Sequence, residues 1–113
     1  KYIKLMYFTL LCGNKNFNTY TEYPTNHGYI DVMLFKNGNY SKYDMMIELK
    51  YIKKSDYRKN KKLLLIKKEE AKNQINHYVK DERIPKENLK KYIVIFIGEK
   101  IEIIEEIKWV FWN

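Results

Sequence analysis

The chain has 113 residues, 45% of them hydrophobic and 16% aromatic, with a formal net charge of +8. That content excludes a disordered polar chain and allows one core of modest size, so residues 1–113 are read as a single domain. No apolar run nears the roughly 20 residues of a membrane helix, and the lone Cys12 excludes an internal disulfide framework and suits a reducing cytoplasm.

The positive charge permits phosphate binding without requiring it. Lysine, asparagine, isoleucine and tyrosine are all favoured by AT-rich codons, and the only arginines are Arg58 and Arg83. The first residue is Lys rather than Met, so the chain is expected to be the C-terminal part of a longer protein.

Residues 1–11 carry apolar side chains at Tyr2, Leu5, Met6 and Leu10, which is helical spacing, and Gly13 and Asn14 are expected to end that helix. Residues 18–23 alternate and are read as a strand, and residues 24–28 (PTNHG) as a turn. A second strand is expected over 29–36, a hairpin turn at Asn37-Gly38-Asn39, and a third strand over 43–53. The three make an antiparallel meander. Residues 55–62 are polar and basic, a loop or a helix lead-in. Residues 63–82 have helical composition, with Leu64, Ala71, Ile75, Tyr78 and Val79 near one face, and Ile84-Pro85-Lys86 closes the helix. The unbroken run at 92–97 (YIVIFI) is the pattern of a strand buried on both faces. Gly98-Glu99-Lys100 turns the chain into a last strand, 101–107, toward an edge. Trp109, Phe111 and Trp112 form an aromatic tail that packs on the core or marks a partner surface. The order is helix, three strands, helix, two strands, an α/β domain with a mixed central sheet flanked by helices.

The stretch from Gly28 to Lys54 organises the rest. Two apolar runs are each broken by charge, the first at Asp31 and the second at Glu48 and Lys50. Side chains alternate along a strand, so Met46, Glu48 and Lys50 share one face while Ile47, Leu49 and Tyr51 share the other. A charge within an apolar run costs several kcal/mol unless it is paired or binds a metal. Asp31 and Glu48 on adjacent strands can offer two hard oxygens to Mg²⁺, and the Leu49 carbonyl a third. Such an ion lowers the pKa of a bound water and polarises a phosphoryl oxygen. Lys50 beside Glu48 suits orientation of the water and stabilisation of developing negative charge better than proton abstraction, because a carboxylate neighbour favours the ammonium. The plain alternative is an exposed Glu48–Lys50 ion pair worth under about 1 kcal/mol.

Asp31 followed by Glu48-Leu49-Lys50 after a hairpin resembles the Asp…Glu-X-Lys pattern of the PD-(D/E)XK nuclease superfamily, and the order of elements is that of its restriction-endonuclease-like core. Gln74 and Tyr78, four residues apart on one helix face, look like the QxxxY motif of several of its branches. More narrowly, TEYPTNHGYID, IELKYIKK and EEAKNQINHYVK are similar to the nuclease domain found at the C-terminus of AAA-ATPase-like proteins. Glu22 matches an acidic position on that branch's first strand. Ile30 stands where the family pattern has proline. The resemblance implies phosphodiester hydrolysis with Mg²⁺ or Mn²⁺, the metal held by Asp31, Glu48, Leu49 and Glu22, and Lys50, Gln74 and Tyr78 completing the catalytic set. It implies a nucleic-acid partner, DNA ahead of RNA, and an AAA-ATPase-like domain preceding this one. The lysines from Lys53 to Lys68 would be a strip for phosphates or simply a solvated face. His27 and His77 read as turn and helix-surface residues. The rival reading is an inactive module of the same fold that binds nucleic acid or regulates the ATPase. A third is a protein-binding domain that uses the aromatic tail.

Overall fold

The computed structural model describes residues 16–38 and 41–108. The expected helix at 1–11 with its stop at Gly13 and Asn14, residue Asn39 of the hairpin turn, and the aromatic tail lie outside the described residues.

Five strands form one sheet in the order β1-β2-β3-β4-β5. They are β1 (Phe17–Thr25), β2 (Gly28–Lys36), β3 (Asp44–Ile52), β4 (Leu89–Ile97) and β5 (Lys100–Glu106). The first three are an antiparallel meander, as their alternation and turns require. β3 and β4 pair in parallel along their whole length, from Asp44↔Leu89 to Ile52↔Ile97. Parallel neighbours need a crossover, and residues between them supply it as α1 (Lys54–Lys59) and α2 (Leu63–Tyr78). β5 returns antiparallel on β4 with an irregularity at Ile95/Phe96, and so forms one edge of the sheet, with β1 at the other.

Sequence and structure differ at several boundaries. The expected turn at 24–28 shrinks to Asn26 and His27, because Pro24 and Thr25 pair with Tyr29 and Gly28. The polar stretch after β3 is a six-residue helix, closed where the Asn60 amide bonds the Asp56 carbonyl. The long helix ends at Tyr78 rather than at residue 82. The amides of Lys80 and Asp81 bond carbonyls three residues back, and Asp81 folds onto the Arg83 amide at 2.9 Å, so the chain tightens into turns. β4 begins at Leu89, three residues before the apolar run, because Asp44 and its successors pair with Leu89, Lys90 and Lys91.

α2 covers one face of the sheet. Ala71, Ile75, Tyr78 and Val79 pack on Ile30, Met33, Met46, Ile93 and Ile95. Ile30, Met33, Met46, Ile75, Ile93 and Ile95 are all fully buried, each burial stabilising by roughly 1.5–3 kcal/mol. The opposite face gathers Val32, Leu34, Ile47, Leu49, Val94 and Phe96. β3 and β4 thus bury both faces, which is why their apolar runs are nearly continuous. Among the described residues no helix is long and apolar enough to cross a membrane.

Candidate functional site

The alternation of β3 places Met46 under α2 and Leu49 in the opposite cluster, so Glu48 and Lys50 share the α2 face. Glu48 is buried, 3% exposed. The Lys50 ammonium stands 3.9 Å from Glu48 Oε2 and 3.9 Å from Glu70 Oε1 on α2.

Three acids, Glu22 on β1, Asp31 on β2 and Glu48 on β3, sit where the regular pairing of the meander is interrupted. The β1–β2 register passes from Thr21↔Val32 to Tyr23↔Ile30, which sets Glu22 opposite Asp31. Glu22 adopts a left-handed backbone there, φ 51°. The β2–β3 register runs from Leu34↔Met45 to Val32↔Ile47, and one further step brings Asp31 against Glu48. That next rung is built differently: Asp31 Oδ2 accepts the Leu49 amide at 2.8 Å. The carboxylate therefore takes over a ladder donor where the two strands stop pairing.

Tyr78 lies near all three. It is 4% exposed, and its ring lies against Gly28, where a Cβ would meet Tyr78 Cε1 at 3.6 Å. Burial, and then the charges of Glu48, Asp31 and Glu22, push the Tyr78 phenol up to about 12. One hydroxyl thus feels the carboxylates of three different strands. Gln74 is one turn back on the same helix flank, and its Oε1 is buried without a hydrogen-bond partner among the described residues.

The structure thus sets Lys50 beside Glu48 and Asp31 on the Leu49 amide, with Tyr78 and Gln74 on one flank of α2, while Glu22 is exposed on β1. It adds Glu70, which the sequence reading passed over. Glu70 precedes Gln74 by four residues on the same flank, and that spacing was the available signal; an exposed glutamate in a Lys-Glu-rich helix otherwise looks like solvated surface. Asp81 sits at the rim, 3% exposed. It accepts the Asn26 amide at 2.8 Å and the Arg83 guanidinium at 2.9 and 3.0 Å, tying the β1–β2 turn to the end of α2. Those donors hold its carboxyl well below the usual carboxylate range, with the Arg83 side chain contributing most.

The donor chemistry suits Mg²⁺ or Mn²⁺, which take hard oxygens. Among the described residues no three His, Cys, Asp or Glu side chains are gathered closely enough to hold an ion. Two carboxylates and a carbonyl leave most of an octahedral shell to water and substrate, which is how Mg²⁺ is commonly bound. Beyond the end of β3, Lys53, Lys54, Arg58, Lys59 and Lys62 are exposed on and beside α1. Lys67 and Lys68 are instead paired with Glu70 at 3.4 Å and Glu105 at 2.7 Å.

A mixed sheet with acids on three adjacent strands, a neighbouring lysine and a flanking helix defines an α/β domain with a restriction-endonuclease-like core. A family model of the PD-(D/E)XK nuclease superfamily matches residues 1–106, and the chain belongs to that superfamily. No curated protein and no solved structure matches the chain.

Proposed function

We propose that this domain is a divalent-metal-dependent nuclease that hydrolyses nucleic-acid phosphodiester bonds, with DNA the expected substrate. The observation that carries the reading is the buried Glu48 with the Lys50 ammonium 3.9 Å away, next to the rung where the Asp31 carboxylate accepts the Leu49 amide. Asp31 and Glu48 would hold Mg²⁺ or Mn²⁺ with the Leu49 carbonyl, and Glu22 would reach the same shell through water. When bound, the ion supplies a water of lowered pKa and a Lewis acid for the phosphoryl oxygen.

This chain's residues do the rest. Asp31 fixes its own orientation by accepting the Leu49 amide. Lys50, drawn between Glu48 and Glu70, aligns the attacking water and offsets the negative charge that grows on phosphorus oxygens. The Gln74 oxygen, buried without a hydrogen-bond partner among the described residues, would accept from that water. Tyr78, held neutral by its surroundings, donates its proton into a hydrogen bond without losing it. Lys53, Lys54, Arg58, Lys59 and Lys62 line the approach as phosphate contacts. The similarity noted in the sequence suggests an AAA-ATPase-like domain as the neighbour of this one.

The test is cleavage of single- and double-stranded DNA and RNA with Mg²⁺, Mn²⁺ or EDTA. Cleavage is expected with either ion, absent in EDTA, and lost in Lys50→Ala and Glu48→Gln. Equal cleavage by wild type and Lys50→Ala would reject the assignment. A wild type that binds Mn²⁺ yet cuts none of the four substrates would reject the activity.

A further inference from the structure

The chain has two histidines, and the fold sets them ring to ring. His27 lies in the turn between β1 and β2; His77 lies in the last turn of α2. Their centroids are 6.0 Å apart with the planes at 86°. Both are exposed.

Neither backbone is loose. The His27 amide donates to Thr25 Oγ1 at 3.0 Å, and that hydroxyl donates to the Gly28 carbonyl at 2.7 Å. Next to it, the Asn26 amide is held by Asp81 at 2.8 Å, and Gly28 lies on the Tyr78 ring. The turn and the helix are therefore locked together on both sides of the histidine pair.

The nitrogens are also sorted. His77 Nδ1 is 2.9 Å from the Asn73 carbonyl. A carbonyl only accepts, so Nδ1 carries the proton of the neutral ring and Nε2 keeps its lone pair. A carbonyl on one ring nitrogen is the arrangement that orients metal-ligating histidines. Two imidazoles on one ion stand at most roughly 6.5 Å apart, reached when the nitrogens lie opposite each other, given metal–nitrogen bonds of about 2.0–2.1 Å and roughly 1.15 Å from each ring centre to its nitrogen. The observed 6.0 Å lies inside that limit at a wide angle, and a tetrahedral or square-planar cis pair requires the exposed His27 side chain to rotate toward His77.

We propose that His27 and His77 form a two-imidazole site for a late first-row divalent ion, Zn²⁺, Ni²⁺ or Cu²⁺, with water in the remaining positions. Imidazole nitrogen selects these ions over Mg²⁺, so the site is chemically distinct from the oxygen donors of Asp31 and Glu48. It stands whether or not the domain cuts nucleic acid. A bound ion would cross-link the β1–β2 turn to α2.

The experiment is calorimetric titration of the full chain with NiCl₂, beside Cu²⁺ electron paramagnetic resonance and thermal melts. Wild type is expected to bind Ni²⁺, to show couplings from two imidazole nitrogens with Cu²⁺, and to melt higher with Ni²⁺; any further ion held by the oxygen donors of Asp31 and Glu48 carries no imidazole coupling. His27→Ala and His77→Ala, both at exposed positions, should each weaken binding at least about tenfold, since losing a ligand costs no less than losing its orienting partner. Each should also show one imidazole instead of two and lose the shift in melting temperature. Cys12→Ser should bind Ni²⁺ as wild type does. Unchanged binding in either histidine variant, loss of binding in Cys12→Ser, or no binding by wild type would each overturn the proposal.

Discussion

Replacing Asp31 separates its structural part from the ligand part proposed for it. Its carboxylate accepts the Leu49 amide at 2.8 Å, and Leu49 is 3% exposed. Alanine removes the acceptor and leaves a buried N–H, at a cost of about 1–3 kcal/mol. For a chain of this length that lowers the melting temperature by roughly 4–12 °C. Asparagine keeps an oxygen in place and loses only the charge assistance, about 1 kcal/mol or less. For ion binding the two variants should behave alike. Each loses one negative charge next to a doubly charged ion, worth about 2 kcal/mol at 4 Å even in bulk water, so Mn²⁺ affinity should fall at least about tenfold. Thermal melts followed by circular dichroism read the first effect, and Mn²⁺ titration followed by paramagnetic resonance reads the second. An Asp31→Ala protein as stable as wild type would refute the structural role. An Asp31→Asn protein with wild-type Mn²⁺ affinity would refute the ligand role.

Three further outcomes are expected. Asp81 loses protons more readily folded than unfolded, so its stabilisation is complete above the ordinary value of 3.8 and drains away as the pH falls toward the depressed folded value; urea midpoints between pH 5 and 2 should fall less steeply in Asp81→Asn, and parallel curves would contradict this. Tyr78 behaves oppositely: its phenol is held neutral up to about 12 against 10.0 for the free group, so its contribution is whole below pH 10 and declines as the pH rises toward 12. The ultraviolet difference titration of wild type minus Tyr78→Phe should move to lower pH in Glu48→Gln, and no movement would remove Glu48 from its surroundings. Gly28→Ala should lose about 1–3 kcal/mol because φ is +120° there, a backbone conformation closed to alanine, while its new methyl would sit at ordinary contact distance from Tyr78; an unchanged melting temperature would show that the dihedral is not constrained.

Much of this domain was legible in the sequence, and the reasons can be named. Alternation in 44–52 sorted Glu48 and Lys50 onto the face that α2 covers, because a strand has only two faces. The continuous run at Ile93–Phe96 announced burial on both sides. α2 was harder at its start: Leu65 and Ile66 are 63% and 45% exposed, so its apolar stripe becomes regular only from Ala71 onward. Its end was misjudged because Lys80 to Glu82 have ordinary helical residues, and only the Asn26 and Arg83 donors around Asp81 show why the chain turns. The Asp31–Leu49 bond depends on where two strands part, which no local pattern encodes. The meeting of His27 and His77 depends on the whole topology, and their separation in sequence hides it.

The single parallel pairing has a temporal consequence. Hairpins close over a few residues, whereas β3 meets β4 only after the intervening chain has looped back, a slower and entropically costlier event. We therefore expect nascent chains to acquire the carboxylate wall first and the helical lid carrying Gln74 and Tyr78 last. Pulse-labelled hydrogen exchange should show amides of 17–36 protected ahead of those in 89–97, and simultaneous protection would dispose of the idea. The helix would then settle over the carboxylates only once β4 has been made.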